Sequence, residues 1–308
     1  MRERFELQPP LPGEGMFLST PNVIETEVFT ELPSYFRRHA NGKSRPINLL
    51  EGPSFDTAGN LYCVDIPCGR IYRISPQGKW DLALEYDGNP NGLKIHKDGR
   101  LFVADRKNGL VIIDPHLGNI VSRIGGPSHG MKFLGLNDLV FSRDGDVFFT
   151  DQGESGLQNP NGSVYRIDAN GKLDLIVGGI PSPNGLVFNA KENLLFVAVT
   201  RANAIWRTEL HGVNRTGLFV QLPASGPDGL ALDEQGNVAV AVPGPGVIMV
   251  YSKWGELLWI IKSCRGTLTT NIAYGGDDMR KLYIVESWTS SILIAQMPVA
   301  GKPMYSHS

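Results

Sequence analysis

The sequence predicts an all-β protein, a six-bladed β-propeller with four-stranded blades around a central channel, on the strength of three observations. One phrase recurs six times along the 308 residues. Each copy is built of short runs rich in Val, Ile, Leu, Phe and Tyr, the composition of strands. Asp-Gly or Gly-Asn pairs punctuate these runs, and no amphipathic stretch of helical length interrupts them, which excludes helical solenoids of similar period.

The first copy reads Glu51-Gly52-Pro53-Ser54-Phe55-Asp56, a turn over residues 57–60, then the runs 61–65 and 69–74. Asn91-Gly92-Leu93-Lys94-Ile95 opens the second, Asn137-Asp138-Leu139 the third, Asn184-Gly185-Leu186 the fourth, Asp228-Gly229-Leu230 the fifth and Asn271-Ile272-Ala273 the sixth. The spacings of 40, 46, 47, 44 and 43 residues match the period of a four-stranded propeller blade. Outer strands follow at 80–86 and 173–177, more variable in character, as suits a solvent-facing edge. Ahead of the first copy, the alternating run 23–29 is expected to form the outer strand of the sixth blade and close the ring within a single domain spanning residues 1–308. Residues 35–48 are expected to form a loop or short helix over one face of the disc.

Composition narrows the function. Hydrophobic residues make up 42% of the chain and charged residues 19%, with 36 Gly and 21 Pro, a turn-rich globular balance. The 29 Lys and Arg nearly cancel the 31 Asp and Glu, and no basic run offers a surface for nucleic acid or an anionic membrane. A small-molecule partner is expected; oligomeric state is not legible. Residues 1–17 contain no apolar stretch of signal-peptide length and no later segment reaches membrane-spanning length, so a soluble, cytoplasmic protein is expected. Cys63, Cys68 and Cys264 form an odd set with no zinc-ligand spacing, read as incidental thiols.

Turn-type residues occur in two places per copy. Asp98-Gly99 and Asp144-Gly145 lie between the first two strands and supply the positive φ of tight hairpins. The six openings instead precede the innermost strands, where propeller geometry sets them at one end of the channel. Read in order, Glu51, Asn91, Asn137, Asn184, Asp228 and Asn271 offer oxygen and neither sulfur nor imidazole, a donor set for a hard cation. Two carboxylates about 6 Å apart at an effective dielectric near 20 repel by roughly 3 kcal/mol, which a divalent cation converts to attraction.

At these residues the chain resembles the gluconolactonase and regucalcin (senescence marker protein) family. The matching phrases are Glu51-Gly52-Pro53, Leu136-Asn137-Asp138-Leu139-Val140, Phe149-Thr150-Asp151, Ser182-Pro183-Asn184-Gly185-Leu186 and Gly226-Pro227-Asp228-Gly229-Leu230. The resemblance implies a six-bladed lactone hydrolase holding one divalent metal, with calcium first and zinc, manganese or iron(II) as alternatives. It makes Glu51, Asn184 and Asp228 metal ligands, and Asn137 a ligand or substrate contact. Asn91 and Asn271 are left as substrate or turn residues. Regucalcin-like sugar lactonases have an Arg shortly before the Asn-Asp pair; here Gly135-Leu136 stands there, and a less polar lactone is expected.

Lactone hydrolysis needs a polarised carbonyl and a base for water. Asp228 is the first choice of base and Asp138 the second. His129, in the loop before the third copy, is a candidate auxiliary proton carrier. Ser128, Ser182 and Ser225 lack a nucleophile-elbow pattern. The alternative from another class is a non-catalytic, metal-stabilised propeller that binds a ligand or protein on its face.

Overall fold

The structure, a computed structural model, describes residues 20–39, 47–128, 130–223 and 225–307. It is a six-bladed β-propeller. Two strands come first, β1 (Asn22–Glu25) and β2 (Glu27–Glu31). Blade 1 holds β3 (Leu50–Phe55), β4 (Leu61–Asp65), β5 (Arg70–Ile74) and β6 (Trp80–Glu85). Blade 2 holds β7 (Pro90–Ile95), β8 (Leu101–Asp105), β9 (Gly109–Asp114) and β10 (Asn119–Ile124). Blade 3 holds β11 (Leu136–Phe141), β12 (Val147–Asp151), β13 (Gly162–Ile167) and β14 (Leu173–Ile180). Blade 4 holds β15 (Pro183–Phe188), β16 (Leu194–Val199), β17 (Ala204–Glu209) and β18 (Thr216–Gln221).

Blade 5 holds β19 (Leu230–Leu232), β20 (Val238–Val242), β21 (Val247–Tyr251) and β22 (Leu257–Lys262). Blade 6 takes β23 (Thr269–Gly275), β24 (Lys281–Glu286) and β25 (Ser291–Gln296) from the end of the chain and β2 from its beginning. The run 23–29 is therefore divided. Its second half pairs antiparallel with β25, while β1 lies parallel on β22 as a fifth strand of blade 5. Buried Thr26 makes the division: its N–H and its hydroxyl both donate to the Lys262 carbonyl, at 3.1 and 2.9 Å.

The core is six apolar wedges, one between each pair of neighbouring blades. Tyr62 and Ile71 of blade 1 meet Leu93 and Val103 of blade 2, and Phe55 and Cys63 of blade 1 meet Val285 and Tyr283 of blade 6. The alternation of each strand feeds both wedges, since successive side chains leave opposite faces.

Residues 301–307 cross the channel at the end where the inner strands finish. Gly301 bridges Asp233 of blade 5 and donates to the Met279 carbonyl of blade 6. Lys302 reaches Glu192 of blade 4 at 2.7 Å, and Ser306 donates to the Phe55 carbonyl of blade 1 at 3.0 Å. Between them the Tyr305 ring stacks on Phe141 of blade 3 at 5.0 Å and meets His96 of blade 2 at 5.1 Å. A cavity of ≈ 110 Å³ remains between this strap and the inner strands, with Lys94, Leu186, Ile272 and Met304 in its wall.

Residues 34–36 form a single 3-10 turn, and Phe36 packs on Tyr72 at 5.1 Å; residues 40–46 and His129 lie outside the described residues. Cys63 and Cys68 are buried and Cys264 exposed, with no disulfide among them. No helix among the described residues is long and apolar enough to cross a membrane.

Candidate active site

The six openings do not all precede the inner strands. Glu51, Asn91, Asn137, Asn184 and Asn271 lie inside β3, β7, β11, β15 and β23, each at or beside a register shift against the second strand of its blade. Only Asp228 stands ahead of its strand. A bulge leaves an extra residue unpaired and re-aims the local side chains. That is how a strand otherwise packed into two apolar wedges turns a polar side chain toward the channel.

Glycine sets how closely these segments approach. A Cβ on Gly52 would lie 2.6 Å from the Leu93 nitrogen, and one on Gly185 would lie 2.5 Å from the Asp228 carbonyl. A Cβ on Gly229 would lie 2.2 Å from Asn271 Oδ1, and one on Gly92 would lie 2.6 Å from both the Cα and Oδ1 of Asp138. The glycine after each of four openings is thus a contact point between neighbouring inner strands. Blade 3 carries Asp138 at the equivalent place, which adds a carboxylate to the ring.

The carboxylates are linked through Asn271, whose Nδ2 donates to Glu51 Oε2 at 2.9 Å and to Asp138 Oδ2 at 3.3 Å. Its Oδ1 accepts the Ile272 N–H at 2.8 Å, so its whole amide is engaged within the protein. Glu51 Oε2 also accepts the Gly52 N–H, and Asp138 Oδ1 accepts the Leu139 N–H, both at 2.8 Å. Asn137 Nδ2 donates to Gln152 Oε1 at 3.1 Å, leaving its oxygen as the atom offered to the channel. Thr150 Oγ1 donates to the Asn184 carbonyl at 2.9 Å and accepts the Asp138 N–H at 3.0 Å, tying blades 3 and 4 together at this level. Asn91 and Asn184 are both buried.

The electrostatics follow from burial. Desolvation, with the neighbouring Asp138 charge adding to it, raises Glu51 from 4.5 to about 7. Desolvation and then the charges of Glu51 and Asp138 push Asp228 well above the usual carboxylate range, against a hydrogen bond from Asn184 that lowers it. Asp228 is nevertheless partly exposed at the mouth, whereas Glu51 and Asp138 are buried. The cation beside this group is Lys94, whose Nζ stands 4.0 Å from Asp138 Oδ1 and 3.4 Å from the Pro53 carbonyl.

These residues fit a hard divalent cation by the chemistry of their donors. Glu51 and Asp228, both raised in proton affinity, share the channel with Asp138 and the oxygens of buried asparagines, a combination that favours bound positive charge. Among the described residues no group of three or more His, Cys, Asp or Glu is placed to ligate a metal by itself, so a site here has to draw on amide oxygens as well.

Several members of this constellation were not singled out from sequence: Thr150, Gln152 and Lys94. For Lys94 the signal was present, a lysine in the otherwise apolar run Leu93-Lys94-Ile95 of an innermost strand. The strand-ending acids have a positioning role. Asp151 accepts the N–H groups of Leu134 and Gly135 at 3.0 and 2.8 Å, and Glu286 those of Leu268 and Trp288 at 3.0 and 2.9 Å; both hold mouth loops in place. Of the serines, Ser182 accepts from Gln152 Nε2 at 2.9 Å and Ser225 donates to the Pro243 carbonyl.

Comparison with known proteins agrees with this fold and these phrases. The sequence profile described as SMP-30/Gluconolactonase/LRE-like region matches residues 49–287. Lactonase drp35 of Staphylococcus aureus (strain USA300) is 32% identical over 222 residues, 67% of each chain. Gluconolactonase of Zymomonas mobilis is 31% identical over 265 residues, 74% of each chain. In fold, the chain is similar to regucalcin from Agrobacterium tumefaciens, a calcium-binding protein, with a TM-score of 0.74 at 18% identity over 94% of this chain and 100% of that one. A gluconolactonase from Xanthomonas campestris gives 0.72 at 22% identity over 82% and 86%. With all six blade openings inside the matched span and two lactonases above 30% identity, the chain belongs to the SMP-30/gluconolactonase/LRE-like family.

Proposed function

We propose that the protein is a metal-dependent hydrolase that opens the ester of a small lactone, with Glu51, Asn184 and Asp228 holding one divalent cation, calcium first, and Asn137 as a further ligand or substrate contact. The observation that carries this reading is the ring itself: carboxylates driven toward protonation by burial and by one another, set among asparagine oxygens at one end of the channel. The names of the lactonase relatives supply the substrate class.

A bound cation would supply Lewis-acid polarisation of the lactone carbonyl and would hold Glu51 and Asp228 in their ionised form. Asp228, the one carboxylate of the three that is reached from the mouth, takes a proton from the attacking water. The water oxygen bonds to the carbonyl carbon, the ring C–O bond breaks, and the proton passes to the departing alkoxide to give a hydroxy acid. Asp138, whose two oxygens accept from Leu139 and Asn271, keeps Asn271 in place; its role as base is secondary. Asn91 borders the same ring and serves as a substrate contact, while Asn271 serves the two carboxylates.

The test is a panel of γ- and δ-lactones assayed with calcium, zinc, manganese or iron(II), and again after chelation. Ring opening that disappears on chelation and returns with a metal is the expected result. If no lactone opens with any metal, the hydrolase reading is wrong.

A further inference from the structure

Two loops, one leading from blade 2 into blade 3 and one within blade 3, carry exposed apolar side chains at the mouth beside Asn137. The loop between β10 and β11 presents Met131, 60% exposed, and Leu134, 51% exposed; the loop between β12 and β13 presents Leu157, 68% exposed. Residues 133–135 of the first and 153–159 of the second are held by specific contacts. Phe133 is wedged edge-on against Phe149 at 5.3 Å and Tyr165 at 5.4 Å, which directs the next residue, Leu134, outward. The two N–H groups after Phe133 are held by Asp151, and the Gly153 N–H donates to the Gly135 carbonyl at 3.1 Å. Leu134 lies directly over Gly153, where a Cβ would come within 2.6 Å of its own Cβ. Leu157 sits in the turn closed by the Gly156 and Asn159 bridge.

These loops are tied to the candidate site through one side chain. Gln152, the neighbour of Gly153, accepts the side-chain N–H of Asn137 and donates to Ser182. Arg106 and Glu154, the charged pair bordering the same turn, are bound to each other at 2.6 Å. Lys132 is the exposed charge within the lip. Single exposed apolar side chains are ordinary, whereas several grouped beside a polar site mark a ligand groove or an interaction surface.

We propose that Met131, Leu134 and Leu157 form a lip that receives an aliphatic substituent of the substrate, so that the substrate class is lactones carrying a hydrocarbon chain on the ring. This rests on the hydrolase reading above. A polyhydroxylated ring would leave its hydroxyls against these side chains without partners, whereas each methylene that a chain buries there gains up to about fourfold in binding.

The experiment compares γ-lactones bearing hydrogen, methyl, propyl or hexyl on the ring, using the metal-loaded full-length protein and its Met131→Ser/Leu134→Ser/Leu157→Ser variant, with Leu157→Ser alone as a second variant. Wild-type kcat/KM should rise with chain length, by about twofold or more per methylene at first; the triple variant should lose most of that slope and Leu157→Ser part of it. A flat wild-type series, or an unchanged slope in the triple variant, overturns the lip while leaving lactone hydrolysis standing. If no lactone is opened, calorimetry with the corresponding 4-hydroxyalkanoic acids decides the matter separately. Affinity that climbs with chain length in the wild type and not in the triple variant supports the lip, and affinity independent of length overturns it. Self-association or binding to phosphatidylcholine vesicles that the triple variant abolishes, with no chain-length effect, also overturns the proposal and assigns the surface to a macromolecular contact.

Discussion

Asn271 donates to Glu51 across 220 residues of sequence, at 2.9 Å, and so joins the innermost strand of the last blade to that of the first. The same nitrogen reaches Asp138 at 3.3 Å. Asn271→Leu, close in size, removes both donors and leaves two buried carboxylates short of a partner. Loss of a partner to a buried polar group costs about 1 to 3 kcal/mol, more when the group is charged. We expect a stability loss of about 2 to 3 kcal/mol for the metal-free variant in urea unfolding, with lactone turnover reduced at least tenfold. Unchanged unfolding would show that the bridge contributes nothing.

Stability of the metal-free protein should depend on pH with a definite sign. Glu51 titrates near 4.5 when unfolded and near 7 when folded, and Asp228 is displaced in the same direction. Between these values the folded state binds more protons than the unfolded state, so stability contributed by these groups is present at low pH and is lost as pH rises through about 7. The expected result, in the presence of chelator, is a melting temperature that falls between pH 5 and pH 8. Added calcium should reverse the trend at pH 8. A chelated protein that gains stability over this range would contradict the assignment.

Gly92→Ala tests the contact between blades 2 and 3. The new methyl group would stand 2.6 Å from the Asp138 carboxylate and backbone, and the backbone on the far side cannot rotate away. Overpacking of this kind costs about 1 to 3 kcal/mol. We expect destabilisation in that range together with loss of lactone turnover, because Asp138 and the Asn271 amide that it accepts from must both shift. Gly99→Ala, at a hairpin where a Cβ meets open space but φ is +89°, should cost stability through backbone strain alone and leave turnover of the folded enzyme intact.

Asp228→Asn keeps the shape of the side chain and removes its charge. Because the carboxyl is held well above its ordinary range by burial and then by the charges of Glu51 and Asp138, removing that charge should leave the metal-free protein at least as stable as the wild type. It should weaken calcium binding by tenfold or more and lower turnover by 100-fold or more. Calorimetric titration and steady-state kinetics on one preparation separate these effects, and full activity would exclude Asp228 as the base.

The architecture was legible because repeats of strand-length apolar runs with turn residues between them leave few alternatives. All six openings could be read off at once. The placement of five of them within the strands could not. Whether Asn91 precedes β7 or sits in it depends on the register between β7 and β8, a property of two paired segments. The division of residues 23–29 was hidden for a related reason: alternation predicts a strand but does not say which edge it joins, and here Thr26 assigns its halves to different blades. Asn271 looked like a substrate or turn residue because its type permits both. Its actual partners are set by two bulges and by the absence of side chains at Gly229 and Gly92. Lys94 was visible as a residue and overlooked as a participant, since in the sequence a charge in a strand carries no indication of where its end comes to rest.

The glycine contacts between inner strands also fix the calibre of the channel. Backbone meets backbone or side chain at Gly52, Gly92, Gly185 and Gly229, so the ring cannot contract around a small ion. Repulsion among its acids favours the uptake of protons at Glu51 and Asp228. A divalent cation that bound the ring below about pH 7, where burial favours the protonated form of Glu51, would expel hydrogen ions into the medium, and acidification of a weakly buffered solution would count them.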